Sequence, residues 1–139
     1  MTDTTVGQVP QERSVMVLRS LITAAGREAV GWNTWTEPGR SSGVDIRPLY
    51  ATDAPQSATA FLVRFAPGAH GDLHEHLGYE LMFILDGELI NDNGDRYTTG
   101  DLIIESPGSV HRVRTETGVV ALGVREAPTV SRNAVRAPR

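Results

Sequence analysis

Apolar and polar positions alternate in short runs over most of this chain, and the runs stop at turn residues. Val44 to Tyr50 alternates and ends at Asp53 to Pro55, and Ala58 to Phe65 is apolar, rich in β-formers and closed by Pro67-Gly68. Glu80 to Leu85 leads into Asp86-Gly87, a dipeptide that predicts a turn before Glu88 to Asn91. Asn93-Gly94 is the strongest hairpin signal in the chain. A strand begins at Tyr97 and reaches Gly100-Asp101, Leu102 to Glu105 precedes Pro107-Gly108, and His111 to Thr115 and Val119 to Arg125 complete the set. Ser14 to Ala25 is the exception. Val15, Leu18 and Ile22 recur at helical spacing, although Val15, Val17 and Leu21 would also line a strand. The helical spacing predicts a helix ending at Gly26. Many closely spaced strands with little helix imply an all-β antiparallel sandwich or barrel.

Composition narrows this picture. A chain of 139 residues fits one domain with a core of its own. Residues 1–13 are polar and patternless and read as a flexible arm. Residues 14–126 hold the barrel with an N-terminal extension. Residues 127–139, with Pro128, Pro138, Arg132, Arg136 and Arg139, read as a second flexible tail. The absence of cysteine excludes disulfides, thiolate metal sites and a cysteine nucleophile. Any metal must then be held by nitrogen and oxygen. A formal net charge of -4 leaves no electrostatic footprint for nucleic acid. No apolar run approaches the roughly 20 residues that span a bilayer. Met1 to Pro10 lacks the positive start and apolar stretch of a signal peptide. The expectation is a soluble, cytoplasmic protein without a membrane or nucleic-acid partner.

The candidate chemistry sits in the histidines. Three of the four (His70, His74, His76 and His111) fall within Gly68 to Glu80. Side chains on a strand alternate faces, so His74 and His76 point to one side and Glu75 to the other. Gly78 lets the chain turn, and Glu80 can open the next strand with its carboxylate aimed at the same centre. His111 supplies a fourth ligand from a distant strand, after the turn at Pro107-Gly108. Imidazoles with one carboxylate suit Fe(II), Mn(II), Ni(II), Cu(II) or Zn(II), and this donor set does not choose among them. His70 reads as a loop residue near the rim.

With these positions the sequence resembles the cupin superfamily. Gly68, His74, His76, Glu80 and Gly87 match every fixed position of its first motif, and Gly100, Gly108 and His111 match the second in register. The proline of that second motif is displaced, with Ser106 in its place and Pro107 following, and its asparagine position is Thr115. The resemblance covers roughly Gly43 to Glu126. It implies a double-stranded β-helix, the cupin jelly-roll barrel, holding one divalent ion on His74, His76, Glu80 and His111. It further implies that Glu80 can serve as a base. Arg64 to Gly68 and Asn91 to Asp95 resemble a subgroup containing the zinc-binding cupin domain of bacterial anti-sigma factors and small dioxygenases that cleave ketones.

The remaining side chains follow from alternation. Glu80 facing inward brings Met82 and Ile84 with it, so Leu81, Phe83 and Leu85 cover the opposite face and need another sheet or subunit. A homodimer is expected. Phe61, Phe65 and Met82 are candidates to line a substrate pocket, or else form barrel core. Trp32 and Trp35 are expected to cap the barrel. Arg64, Arg112 and Arg114 are read as exposed strand residues, and one of them turned inward would favour an anionic substrate. The functional reading is a metal-dependent dioxygenase acting on a small ketone, phenol or other enolisable substrate. Two alternatives stand beside it: a non-redox isomerase, lyase or polyketide cyclase, and a metal- or ligand-sensing regulatory cupin.

Overall fold

The computed structural model describes residues 14–55 and 57–132, and the chain divides into two units after Val30. The arm expected over residues 1–13 lies outside the described residues. In the first unit, residues 14–20 carry no regular structure. The only helix of the described residues, α1, runs over Ala24–Glu28. The helix predicted across Ser14 to Ala25 is therefore misplaced: it begins almost where it was expected to end. Ser20 adopts φ 58, outside the right-handed helical region, so no helix can run through it. Thr23 then caps the short helix, its Oγ1 accepting the Gly26 N–H at 3.0 Å. Gly26 lies inside α1 rather than closing it, and only glycine fits there, since a Cβ would lie 2.0 Å from the Ser20 carbonyl oxygen.

The second unit is all β. Its strands are β1 (Asn33–Thr34), β2 (Val44–Ala51), β3 (Thr59–Phe65), β4 (His74–His76), β5 (Glu80–Asn91) and β6 (Arg96–Thr98). They continue with β7 (Leu102–Glu105), β8 (Val110–His111), β9 (Val113–Arg114), β10 (Val119–Arg125) and β11 (Thr129–Ser131). A large antiparallel sheet runs β1-β2-β3-β10-β5-β6, with β7 and β9 also pairing along β5. A second sheet of three strands runs β11-β4-β8. This is the curled antiparallel architecture that the strand pattern implied.

Three boundaries differ from expectation. Asp86-Gly87 is not a turn: β5 passes straight through it as one strand of 12 residues. Ala121 pairs with Ile84 and Val120 with Asp86, so Leu85 is the extra residue of a bulge. Gly87 takes φ 96 and packs directly against the backbone of Gly118. The strand expected over His111 to Thr115 divides, β8 joining the small sheet and β9 the large one. The expected tail begins later than Ala127, since β11 pairs with β4 along His74–His76 and the Arg132 N–H donates to the Leu73 carbonyl at 2.8 Å. Alternation of Thr129–Ser131 against a metal-motif strand is too short a pattern to be read from sequence. The Asn93-Gly94 hairpin forms as expected, Gly94 N–H donating to the Asn91 carbonyl at 2.8 Å.

The core lies within the large sheet. Val44, Phe61, Val63, Phe65, Ile84, Leu89, Val119 and Ala121 are all buried, with Trp35 and Met82 packed against them. On β5, Glu80 and Ile84 are buried whereas Leu81 and Phe83 are exposed, as alternation requires. Across the strand pair, Leu81 faces Ile104 and Phe83 faces Leu102, which places four apolar side chains in one exposed strip. Buried Thr115, at the motif's asparagine position, ties the loop before β10 to β5. Its Oγ1 donates to the Glu88 carbonyl at 2.6 Å and accepts the Gly118 N–H at 3.0 Å. Thr115→Val removes both bonds at nearly constant shape. It is expected to cost about 1–3 kcal/mol of unfolding free energy, measured by urea denaturation.

Candidate metal centre

The sequence places His74 and His76 two apart on β4, which lies between β11 and β8. His111 on β8 is the direct cross-strand partner of His74. The three imidazoles are buried, and their ring centroids are 4.8–5.0 Å apart. One nitrogen from each lies within 4.8 Å of the others.

Each ring is oriented by an acceptor at Nδ1. His74 donates to the Asp72 carbonyl at 2.9 Å, and His111 to Asn91 Oδ1 at 2.8 Å. His76 Nδ1 is 3.2 Å from Glu80 Oε1. A carbonyl or carboxylate oxygen only accepts, so the Nδ1 atoms carry the protons and the Nε2 lone pairs face inward. Burial, and then the neighbouring rings, push His76 down to about 3 and His111 down to about 4. Burial lowers His74 as well. The rings are therefore neutral at pH 7, the form that binds metal. At the centre His76 Nε2 and His111 Nε2 stand 3.0 Å apart. Two imidazole nitrogens at this distance share either a proton or a cation. Ligands bonded at ~2.0–2.1 Å to one ion are separated by about this distance. The donor set fits a divalent ion.

Two carboxylates accompany the histidines. Glu80 is buried, and its Oε1 also forms an ion pair with Arg125 Nε at 3.2 Å. Burial raises it, and Arg125 opposes the rise. Glu105, at the end of β7, is the direct cross-strand partner of Glu80. Its Oε1 is 3.4 Å from His111 Nε2 and 3.5 Å from His76 Nε2. Burial and the nearby Glu80 push Glu105 up to about 7.

The sequence reading missed Glu105, seeing only a strand end. The signal that would have found it is the register of β5 against β7, which no local motif carries. Asn91 and Arg125 were missed for the same reason. His70 stands apart from the cluster, half-buried, its Nδ1 on the Gly71 carbonyl at 2.9 Å.

A cavity opens on the centre. Its volume is about 40 Å³, and His74, His111, Glu80 and Glu105 form its polar wall. Phe61, Phe65 and Met82 line it with Trp35 and Ile103. Trp35 packs edge-on to Phe61 with centroids 5.6 Å apart. A wider cleft of about 380 Å³ shares Trp35, Arg40, Asp72 and Arg125 with this cavity. The arginines at its edge are Arg40, paired with Asp72 at 3.0 Å, and Arg125. Arg112 and Arg114 are exposed, and Arg64 pairs with Asp45 at 2.8 Å over the ring of Trp32.

Residues 26–128 match the family described as the ChrR cupin-like domain. None of the curated proteins matches the chain. Among solved structures, the chain is similar to a putative acetylacetone dioxygenase from Methylibium petroleiphilum. That match has TM-score 0.73 and 12% identity, and covers 95% of this chain and 90% of that one. The chain is similar to a Ralstonia eutropha protein of unknown function with a cupin-like fold. Here the TM-score is 0.60 and the identity 26%, over 65% of this chain and 59% of that one. It is also similar to the anti-sigma factor ChrR, solved in complex with Rhodobacter sphaeroides SigE. This match has TM-score 0.57 and 27% identity, over 70% of this chain and 49% of that one. The likeness to the dioxygenase structure shows the fold. The chain thus spans less than two thirds of the Ralstonia protein and about half of the chain matched in the ChrR complex. A matched segment running from α1 to β10 and beyond, with the histidine cluster in its middle, shows that this chain belongs to the ChrR cupin-like domain family.

Proposed function

We propose that this protein is a metal-dependent enzyme of the dioxygenase type, acting on a small ketone, phenol or other enolisable compound. One observation carries the reading: two of the three clustered imidazoles, His74 and His111, line a mostly apolar cavity that shares its edge residues with a wider cleft. A purely structural ion is enclosed by its ligands, whereas a catalytic one keeps a position open to substrate. When bound, Fe(II) would supply a Lewis-acidic centre that is also capable of electron transfer. The protein supplies the rest. Phe61, Phe65, Met82 and Trp35 orient a small apolar skeleton and exclude water, and His74, His76 and His111 hold the ion. The fold likeness to an acetylacetone dioxygenase supports the substrate class.

The test is oxygen uptake by iron-reconstituted protein with acetylacetone and related diketones or phenols. Consumption of O2 in proportion to substrate supports the proposal, and none with any of them rejects it. Turnover by zinc-loaded protein under strict anaerobiosis would point to isomerase, lyase or cyclase chemistry instead. The family match favours a second reading, a sensing module, which would show a tight protein partner and no turnover.

Asn91 provides a further check on the site. Its Oδ1 is the acceptor that orients His111. Asn91→Leu removes that acceptor and is expected to weaken Zn(II) binding by about 10–100-fold in a chelator competition titration. The exposed strip of Leu81, Phe83, Leu102 and Ile104 supports a homodimer, which sedimentation velocity checks.

A further inference from the structure

We propose that the substrate of this site carries a carboxylate beside its ketone, and that Arg125 and Arg40 bind this carboxylate where the inner cavity meets the wider cleft. The inference rests on the enolisable-ketone reading above and narrows it to short oxo acids.

The shape of the site carries the first part of the argument. The inner cavity, about 40 Å³, has room for only a few water molecules at roughly 10–15 Å³ each. A substrate that reaches the histidines must therefore extend into the cleft of about 380 Å³. Trp35, Arg40, Asp72 and Arg125 line both spaces and form the neck between them. Two of these four side chains are cations.

Both guanidiniums are held by their flat faces. Arg40 lies over the ring of Trp35 at 4.0 Å, and Arg125 over the ring of Phe61 at 5.1 Å. Gly123 makes the second stack possible, because a Cβ there would lie 2.6 Å from Phe61 Cζ. Stacking occupies the face of a guanidinium and leaves its N–H edge, which carries five donors. Arg40 spends one donor, Nη2, on Asp72 Oδ1 at 3.0 Å. Arg125 Nε stands 3.2 Å from Glu80 Oε1, out of line for a hydrogen bond. Among the described residues, no other carboxylate comes within 4.0 Å of either arginine. The Arg40 side chain is nevertheless only 7% exposed and that of Arg125 only 17%. Burying donors without acceptors is costly, and a carboxylate supplies two acceptor oxygens in the geometry of the fork. Burial lowers Arg40, Asp72 and Glu37 oppose this, and Arg125 adds to it, so each cation gains from an anion placed near both. Asp72 is already paired, and Glu37 is exposed to solvent.

The length of the substrate follows from two contacts. Arg125 Nε is 3.2 Å from Glu80 Oε1, and that oxygen is 3.2 Å from His76 Nδ1. The guanidinium is thus one carboxylate group away from the histidine cluster. An acid group on Arg125 and a ketone at the histidines belong to one short molecule. Arg64, Arg112 and Arg114, the arginines singled out in the sequence, line neither space.

The experiment is isothermal titration calorimetry on the zinc-loaded full chain with acetoacetate and acetylacetone. These probes have the same shape and differ by a carboxylate oxygen in place of a methyl group. Wild type is expected to bind acetoacetate about 10–100-fold more tightly, the range for hydrogen bonds to a charged group. Arg125→Gln is expected to bring this ratio to within about 3-fold of unity, and Arg40→Gln to lower it by about 3–10-fold. A ratio of two affinities within one variant is insensitive to a general loss of packing, and circular dichroism and zinc content are measured alongside. Should Arg125→Gln fail to fold or to hold zinc, Arg125→Lys, which keeps the charge but not the fork, is expected to give an intermediate ratio. Equal or tighter binding of acetylacetone by wild type, or no binding of either probe, would overturn the proposal. So would a wild-type ratio in both Arg125→Gln and Arg40→Gln, which would place the carboxylate elsewhere. Preference for acetoacetate without oxygen uptake by iron-loaded protein rejects the dioxygenase reading and leaves the anion site standing. Oxygen uptake with tighter binding of acetylacetone does the reverse.

Discussion

His76→Ala is expected to reduce bound metal from about one ion per chain to near none, measured by elemental analysis of protein expressed in metal-replete medium. The imidazole it removes is 1% exposed and faces His111 Nε2 at 3.0 Å. Its removal leaves two imidazoles in the cluster, and Glu80 lies at the opposite edge of the ring that is lost. Binding energies of 10–16 kcal/mol shared over four ligands allot roughly 3 kcal/mol to each, on the order of 100-fold in affinity or more. The same variant should lose stabilisation by metal. Excess Zn(II) at ~1,000 times its Kd stabilises the folded wild type by about 4 kcal/mol, a rise in Tm on the order of 10 °C. His76→Ala should show almost none of it. His70→Ala is the control: His70 bonds to the Gly71 carbonyl outside the cluster, so its removal should leave metal content unchanged. Equal metal in His76→Ala and wild type would reject the site.

Gly87→Ala is expected to destabilise the barrel by about 3–5 kcal/mol, whereas Gly94→Ala costs only about 1 kcal/mol. Both glycines have φ 96, so both substitutions carry the penalty of a left-handed backbone. Only their surroundings differ. A Cβ at Gly94 meets nothing within 4 Å. A Cβ at Gly87 would lie 2.1 Å from the Gly118 carbonyl oxygen and 2.9 Å from the Val119 Cα. Those are backbone atoms of the adjoining strand and cannot turn aside. Separating them also strains the hydrogen bond from the Glu88 N–H to the Gly118 carbonyl, 3.2 Å long. With total stabilities of about 5–15 kcal/mol, such a loss leaves little reserve. Guanidinium denaturation of the two variants side by side measures the difference, and equal midpoints would show that the bulge at Leu85 relaxes freely.

Much of the strand pattern was legible because alternation and turn residues act over a few neighbouring positions. β7 and β10 fall where Leu102 to Glu105 and Val119 to Arg125 were read, and Asn93-Gly94 makes its hairpin. The failures have equally local causes. Asp86-Gly87 has turn chemistry, yet β10 pairs with Asp86, Gly87 and the residues before them, and the strand runs on with a bulge at Leu85. Ser20 interrupts a stretch with helical spacing because its φ of 58 does not belong to a helix. Thr129–Ser131 carries no pattern of its own and becomes a strand only because β4 offers it an edge.

The candidate site divides along the same line. The pairing of His74 with His76 follows from period two on a strand, and His111 joins them by the motif resemblance and, in the fold, by standing opposite His74 across β4 and β8. The carboxylates do not follow. Glu80 and Glu105 are 25 positions apart in the chain and become neighbours only through the register of β5 against β7. Arg125 then reaches Glu80 from β10, and Asn91 reaches His111 from the far end of β5. The sequence by itself determined the element types, the histidine cluster and the class of donor atoms, because these depend on side-chain chemistry and short-range periodicity. Only the tertiary structure decided which side chains come to stand beside the rings, because the registers that bring Glu105, Asn91 and Arg125 there pair distant strands and are written in no local stretch of the chain.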